Sequence, residues 1–469
     1  MQENNTTRLA AYTGLAGLFI LCIASLWYYK ERMLFTDASF ILFNIITEGR
    51  LYIQENRFGA FITQMVPMLG SKMHLPLKTI LLSYSLSFNL FYFLSSAVLV
   101  FVCRQYKIAV LLCFYYLLFA SEAFYWSNNE IFQATAWMML GFGTLLYRTA
   151  TPRHLLRICL FAALITTAIF THAGVIPIVF FLSVYYLFIS NNYPQQKSKL
   201  LVTLIIAAVI TIKLILSSSQ TYDSGKMHNA LHFSLHDIVT ALGSDFSIYF
   251  IKQCITNYWV AVILFVWGMS YLLIHKKYKL AALCGFTAIA YYVLICLVFN
   301  NLTGHHLYYI ESEIMGMAII CTLPFVYYIL PALKPRVVFI LMLLIIGSRL
   351  LYIYNGAKRF TARVDITTTI LNQMDKDGIN KLAIIDGEDV KKTMIEPWAA
   401  GAESIILSAM NGQSNRSFYF VKDSSAVPTD RYIYAGCFHD YKPDQMNNQY
   451  FTIDTNSHYI IRYFKNITP

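Results

Sequence analysis

Two acidic residues of this chain are candidates for proton transfer, because each stands at the end of a long apolar segment. Asp37 lies in residues 35–40 (FTDASF), just after the first such segment, and Glu130 begins the fourth. A carboxylate in partly apolar surroundings can act as a general base or bind a divalent cation. A second interpretation of Asp37 stays open, since an acid at this position could simply cap the helix that follows it.

Four further residues could bind a phosphate group. Arg57 lies in the loop after the first apolar segment, and His306 follows the ninth. Lys213 and Arg349 lie inside apolar segments, toward one end. Arginine binds phosphate through parallel hydrogen bonds, and lysine binds it as a point charge. The alternative for each is a position at the membrane interface, which is the commoner role of basic side chains beside apolar segments.

Eleven apolar segments must position these residues, and each is close to the ~20 residues that cross a ~30 Å hydrocarbon layer as a helix. The chain is 57% hydrophobic and 13% charged, unlike a typical soluble domain. We therefore predict a mainly α, polytopic helical membrane protein. The segments are approximately residues 9–29, 79–102, 108–126, 130–147, 155–171, 174–190, 199–217, 257–274, 280–299, 312–331 and 337–354.

The basic residues indicate how these segments are oriented. Short connections on one side carry Lys or Arg, whereas the short opposite turns at 127–129, 172–173 and 300–311 carry none. The positive-inside rule then predicts a cytoplasmic N-terminus and an extracytoplasmic C-terminus. The basic connections contain Arg104, Lys107, Arg148, Arg153, Arg157, Lys197, Lys199, Lys276, Lys277, Lys279, Lys334 and Arg336.

The net charge of +11 belongs to this topology, because from residue 355 onward thirteen basic residues balance thirteen acidic ones. A basic excess confined to the membrane part does not indicate binding to nucleic acid. The acids of that part, apart from Glu3, lie near the outer face, although Asp and Glu contribute little to topology. This bias favours an outward-facing active centre. The acids are Glu31, Asp37, Glu48, Glu55, Glu122, Glu130, Asp223, Asp237, Asp245, Glu311 and Glu313.

The chain divides into a membrane domain (1–354), with long outer loops at 30–78 and 218–256, and an extracytoplasmic domain (355–469). In the first loop, Asp37, Asn44 and Glu48 would lie within about 40° of one another on a helix. We therefore expect helices along the membrane surface with a polar stripe. The last ~115 residues can bury a core of their own and should form a small α/β domain. Its expected helices are 361–374 and 397–410, and its expected strands are 381–386, 417–422, 431–437 and 450–464.

With these residues in place, the layout resembles the GT-C superfamily of polytopic membrane glycosyltransferases. Members place an acid just after the first span, in a long outer loop with membrane-parallel helices, and many end in an extracytoplasmic domain. Asp37 occupies the position of the family's catalytic acid, and Glu130 stands near its second acidic position. The stretch that begins at His306 occupies the place where many members carry an Arg-Tyr pair near the lipid phosphate.

The resemblance implies a transferase that uses a polyprenyl-phosphate-linked sugar and an extracytoplasmic acceptor, in a membrane such as the bacterial inner membrane. Asp37 would take a proton from the acceptor hydroxyl, and a cation, Arg57, Lys213 or Arg349, would stabilise the leaving phosphate. A single Asp stands where many members have two adjacent acids, and His306 replaces the usual Arg. These departures leave open whether a divalent metal ion is needed. No other cofactor is implied, and the remaining partners are membrane lipids.

Two other classes of protein stay open. An outward-facing polysaccharide polymerase or ligase would share many of these features. A lipid or solute transporter commonly shows internal repeats and ionisable groups at mid-membrane. The sequence has no evident repeat, and the central thirds of its apolar segments hold no acid. These observations favour the transferase.

Overall fold

Long apolar helices dominate the computed structural model of this protein. The structure describes residues 5–147, 154–190, 196–218, 225, 233–299, 302, 306–385, 394–410, 412, 415–435, 440–452 and 454–464. Its helices are α1 (Asn5–Trp27), α2 (Tyr29–Met33), α3 (Asp37–Glu48), α4 (Phe61–Lys72), α5 (Leu77–Ala97), α6 (Tyr106–Phe119), α7 (Glu130–Leu145), α8 (His154–Thr171), α9 (Ile176–Ser183), α10 (Gln196–Ser218), α11 (Leu235–Leu242), α12 (Asp245–Thr256), α13 (Trp259–Ile274), α14 (Tyr278–Val298), α15 (Leu307–Ile314), α16 (Met317–Pro324), α17 (Pro335–Lys376) and α18 (Ala400–Met410).

Within the described part of the chain, six helices are long and apolar enough to cross a membrane: α1, α5, α8, α10, α14 and α17. Two helix pairs pass the same test together but are bent, by 84° between α12 and α13 and by 46° between α15 and α16. Shorter apolar helices occur at Tyr106–Phe119 and Ala173–Ile189. Several long apolar helices in one chain are typical of a multi-pass helical membrane protein.

Each of the eleven predicted segments overlaps one of these helices, and the differences lie in lengths and bends. The third and fourth segments form helices of only 14 and 16 residues, shorter than a typical span. The segment predicted at 312–331 begins inside α15 and is bent before Met317. Hydropathy reports where apolar chain lies, but it carries no information about bends, which depend on packing against neighbouring helices.

Helix α1 packs against α5, α6 and α17. Two glycines of α1 let it pack closely against α6 and α17. A Cβ atom at Gly14 would lie 2.9 Å from the Cβ of Cys113 on α6, and one at Gly17 would lie 3.0 Å from the side chain of Ile346 on α17. Small residues at such contacts let helices pack closely in a lipid environment, where water gives no hydrophobic driving force between them.

The C-terminal domain is joined to the bundle by a helix rather than by a linker. Helix α17 runs 42 residues without a break, across the predicted boundary at residue 355 and through the expected helix 361–374. Beyond it, strands β1 (Lys381–Ile385), β2 (Ser417–Val421) and β5 (Ile460–Tyr463) form a parallel sheet in the order β2-β1-β5. Helix α18 packs on β2, and β3 (Tyr434–Ala435) pairs antiparallel with β4 (Asp440–Tyr441).

This arrangement is a small α/β domain, as predicted, with shorter strands than expected. The predicted strand at 450–464 is reduced to the four residues of β5. Of the predicted strand at 431–437, only Tyr434–Ala435 is a strand, and residues 436 and 437, including Cys437, lie outside the described part of the chain.

Helix α3 forms where the sequence predicts it, and other parts of the chain cover it. Residues 38–46 are all buried, and Asn44, predicted to lie on the polar stripe, is 1% exposed. Its side chain accepts a hydrogen bond from Tyr441 Oη at 2.7 Å. The ring of Phe43 lies 5.0 Å from that of Tyr441 and 5.1 Å from that of Phe451. The C-terminal domain therefore covers this helix, a contact between residues some 400 positions apart that local periodicity cannot reveal.

Candidate active site

A cavity of about 640 Å³ lies where the start of α3, the start of α7, helix α15 and the segment before α18 meet. Four of the six residues singled out from the sequence line it: Asp37, Glu130, Arg57 and His306. They come from four separate parts of the chain, which the fold brings together. The size is within the range usual for small-molecule sites in proteins.

Asp37 is the first residue of α3, and its carboxylate faces this cavity rather than capping the helix. The capping position is held by Thr36, which makes no side-chain capping bond. Instead, Asp37 Oδ2 accepts a hydrogen bond of 2.8 Å from Trp126 Nε1. Burial raises the pKa of Asp37 to about 6, and the nearby charges of Glu130 and Glu396 add to this effect. A carboxylate with such a pKa is a suitable general base near neutral pH.

Glu130 and Arg57 form an ion pair on the wall of the cavity. Arg57 Nη1 lies 3.0 Å from Glu130 Oε2, and the two side chains are only 14% and 11% exposed. Glu130 is the first residue of α7, whose N-terminus favours negative charge. Asn129 caps this helix by accepting a hydrogen bond of 3.1 Å from the backbone N–H of Ile131. The pair therefore holds a guanidinium group at a defined place on the cavity wall.

His306 lies on the opposite side, where the C-terminal domain closes the cavity. Its Nε2 is 3.3 Å from Glu396 Oε1, in the segment that precedes α18. This hydrogen bond is the main reason that the pKa of Glu396 lies below its usual range. Trp398, from the same segment, also lines the cavity. The neighbouring residue His305 lies outside the described residues.

A second cavity of about 160 Å³ adjoins the first and shares Arg57, His172 and Glu313 with it. Its other walls are largely apolar and come from α9, α10 and α14. Lys213, on α10, lines this second cavity although its side chain is buried, and its Nζ lies 5.8 Å from the ring centre of Phe170. Basic groups thus stand where a polar cavity meets an apolar one.

Arg349 is the one predicted site residue that lines neither of these cavities. It is 2% exposed, and its guanidinium group donates to the carbonyl oxygens of Phe119 and Asn257, each at 3.0 Å, and to that of Leu118. These carbonyls belong to the C-terminal ends of α6 and α12, which lack partners within their own helices. The predicted phosphate role is therefore not supported by its position; Arg349 joins helix ends.

Several cavity residues were missed by the sequence reasoning. Glu313 was noted only among the outer acids, and His172 only as part of a turn without Lys or Arg. Glu396, Trp398 and Trp126 were not singled out at all. Only His172 could have been predicted from the sequence. It lies in the short turn at 172–173, which the basic connections assign to the same side of the membrane as Asp37.

A divalent metal ion has no evident site among these residues. In the described ranges, no group of three or more His, Cys, Asp or Glu side chains is arranged to hold a metal ion. Glu130 is engaged with Arg57, and Glu396 with His306. The ligand set around the cavity therefore does not fit a dedicated metal site.

The larger cavity contains the carboxyl group of Asp37, which is suited to act as a general base. The basic groups of Arg57 and Lys213 lie beside the apolar walls of the smaller cavity. Such a site can remove a proton from a hydroxyl group and stabilise an anionic group attached to an apolar chain. No known protein family, curated protein or solved structure matches this chain. The function is therefore inferred from the geometry of these cavities.

Proposed function

We propose that this protein is a membrane glycosyltransferase of the GT-C type, which moves a sugar from a polyprenyl-phosphate-linked donor to an extracytoplasmic acceptor. The observation that carries the proposal is the pairing of the two cavities. The larger contains Asp37 with its raised pKa, and the smaller, apolar one contains Lys213, with Arg57 on the wall of both. A lipid-linked sugar needs an apolar cavity for its lipid and a polar cavity for its sugar.

The donor occupies the two cavities together in this proposal. Its lipid chain lies along the apolar walls of the smaller cavity, where Pro177, Leu294 and Val298 are found. Its phosphate lies between Arg57 and Lys213, which supply charge-assisted contacts to an anion. Its sugar then projects into the larger cavity, toward Asp37. The aromatic side chains there give the sugar flat apolar faces on which to pack.

The reaction is a direct displacement at the anomeric carbon. The acceptor oxygen attacks that carbon and forms the new glycosidic bond, while Asp37 takes the proton of the acceptor hydroxyl. The bond between the anomeric carbon and the phosphate oxygen breaks, and its electrons stay on the leaving polyprenyl phosphate. Arg57 and Lys213 stabilise the charge that develops on this phosphate. Glu130 holds Arg57 in position through their ion pair.

The test of this proposal is transfer by the purified, reconstituted protein. Polyprenyl phosphates that carry a pentose or a hexose are the donors, envelope lipids and glycans are the acceptors, and release of free polyprenyl phosphate is measured. We expect at least one donor to be consumed in an acceptor-dependent way. Absence of turnover with every donor, by protein that is folded and binds these lipids, contradicts the proposal.

The transfer rate should depend on pH in a way set by Asp37. Its base form is required, and its pKa is raised to about 6, so the base is lost as the pH falls through that value. We expect kcat/KM to be level above about pH 7 and to fall about tenfold for each unit below pH 6. Initial rates between pH 4.5 and 8 measure this. A rate that stays level down to pH 4.5 excludes a base with this pKa.

The proposal includes eleven membrane crossings, with the N-terminus in the cytoplasm and both cavities on the extracytoplasmic side of a bacterial inner membrane. The six long helices, the two bent pairs and the two shorter apolar helices account for ten of these crossings, and the 16-residue helix α7 is the eleventh in this proposal. The orientation follows the basic connections, of which Arg104, Lys279 and Lys334 are examples. Asp37 and Glu130 lie at the ends of helices away from those connections.

Labelling with a membrane-impermeant thiol reagent tests this orientation. Cys437 lies outside the described residues, so cysteines are introduced at two exposed positions, Ser424 in the C-terminal domain and Lys279 at the start of α14. Cys159 and Cys437 are first replaced by Ser. In intact cells we expect Ser424→Cys to be labelled and Lys279→Cys to react only after the membrane is opened. The reverse pattern would place the site in the cytoplasm and remove the basis for an extracytoplasmic acceptor.

A further inference from the structure

The turn directly before Asp37 has an unusual backbone conformation. Thr36, directly before Asp37, has φ 45° and ψ −119°, a conformation that residues with a Cβ atom rarely adopt. A backbone of this kind persists only where its surroundings hold it in place. The residues that hold this turn therefore determine where the Asp37 carboxylate lies.

Glu403, on α18 of the C-terminal domain, makes the first of these contacts. It is fully buried, and its Oε1 accepts a hydrogen bond of 2.9 Å from the backbone N–H of Thr36. The same oxygen lies 3.4 Å from the hydroxyl of Ser39, one turn into α3. One carboxylate oxygen thus binds the chain on both sides of Asp37.

Arg363, on the extension of α17, completes the arrangement. It is 1% exposed and forms an ion pair with Glu403. Its guanidinium group also donates to the carbonyl oxygens of Leu34 at 3.0 Å, Ile395 at 2.8 Å and Glu396 at 2.9 Å. The first of these lies just before the strained turn, and the other two lie in the segment whose Glu396 side chain pairs with His306.

We propose that Glu403 and Arg363 are positioning residues of the transfer reaction, which fix Asp37 and Glu396 relative to each other across the cavity. This inference rests on the proposed function. The planar guanidinium fork of Arg363 donates to the backbone before Asp37 and to the backbone at Glu396 at the same time, which a lysine could not do. The C-terminal domain is thus a part of the site. It supplies Glu403 and Arg363, which bind the turn before Asp37, and it also supplies Glu396.

A buried ion pair needs further hydrogen bonds that satisfy its remaining polar atoms, because both charges are removed from water. Here the hydrogen bonds of the pair go to the backbone of two cavity-lining segments. The pair also does not touch the cavity itself, since neither residue lines it. Its role is therefore to place other groups.

Three variants test the inference through kinetics. Glu403→Ala removes the acceptor for the Thr36 N–H, and we expect kcat to fall about 100-fold, as for a catalytic group displaced by about 1 Å. The KM for the donor should stay within about twofold of the wild-type value, since Arg57 and Lys213 are untouched. Glu403→Gln keeps an acceptor oxygen and should recover much of the lost rate. The control is Asp375→Asn, which breaks an ion pair with Arg416 in the same domain and should leave kcat unchanged.

A second measurement reports the position of Asp37 without transfer. Because Trp126 donates to the Asp37 carboxylate, the difference in fluorescence between the protein and its Trp126→Phe variant follows protonation of Asp37. Arg57, Glu130 and Glu396 also face this carboxylate, so Asp37→Asn identifies the group that titrates. We expect a midpoint near pH 6 in the wild type, absent in Asp37→Asn and displaced in Glu403→Ala.

The two measurements separate the inference from the proposed function. If the wild type transfers no sugar, the function fails, while the fluorescence titration still tests the placement of Asp37. If folded Glu403→Ala keeps the wild-type midpoint or the wild-type kcat, the positioning role is overturned. Should Glu403→Ala not fold, Arg363→Lys replaces it, because it keeps the charge beside Glu403 and loses the contacts to Leu34, Ile395 and Glu396. An unchanged midpoint and kcat in that variant overturn the inference equally.

Discussion

Replacing Asp37 by Asn should lower the rate of sugar transfer by roughly 100- to 10,000-fold, the usual contribution of a positioned general base. The change keeps the size of the side chain and an oxygen that can accept from Trp126 Nε1, which donates to the Asp37 carboxylate at 2.8 Å. It removes only the ability to take a proton. We therefore expect expression, folding and donor affinity to stay close to wild type while kcat falls.

The matched control is Glu48→Gln, at the other end of the same helix. Glu48 is exposed, forms a 2.7 Å ion pair with Arg50 and does not line either of the two cavities described here. Its replacement should change the rate by less than about twofold, as is usual for surface positions. Near-normal transfer by Asp37→Asn would mean that the base is Glu130 or that the displacement mechanism must be abandoned.

Replacing Arg57 by Gln should weaken binding of the lipid-linked donor about 10- to 100-fold. A hydrogen bond to a charged group is worth about 1.5–3 kcal/mol, and a charge-assisted contact to phosphate belongs to this class. Arg57 lines both cavities, so it is placed where the lipid, the phosphate and the sugar would meet. Donor affinity is measured by titration of the reconstituted protein with a polyprenyl-phosphate-linked sugar.

Two controls separate contact with the donor from loss of the ion pair. Glu130→Gln breaks the same 3.0 Å pair but keeps the guanidinium group of Arg57, so donor affinity should fall much less than in Arg57→Gln. Arg50→Gln removes an exposed guanidinium group from the same loop and should have no effect. If Arg57→Gln and Lys213→Gln both bind the donor as the wild type does, the phosphate does not lie between these two residues.

The parts of this protein that could be predicted from its sequence are those set by local chemistry. Apolar segments of about 20 residues predicted the helices, and the acid after the first segment predicted Asp37 as a site residue. Four of the six predicted site residues line one cavity, and the loop asymmetry had predicted them on the same face of the membrane. A single periodic stretch such as α3 was enough to predict a helix.

What could not be predicted depends on contacts between distant residues. Asn44 was expected on the polar stripe of a surface helix, and its contact with Tyr441 of the C-terminal domain could not be predicted. Arg349 was expected to bind phosphate, but its guanidinium group is used on the ends of two helices, a contact that only the folded bundle reveals. Glu396 and Glu403 lie more than 350 positions from Asp37 in the sequence, and nothing in their local pattern distinguishes them from surface acids.

The unbroken helix α17 has a mechanical consequence. Arg349 and Arg363 lie on the same helix, 42 residues long, at positions 14 residues apart, which a rise of 1.5 Å per residue converts to about 21 Å. One end of this stretch is fastened to the ends of two bundle helices, and the other to the turn before Asp37. The helix therefore fixes the distance between these two attachment points, and with it the position of the turn before Asp37 relative to the bundle.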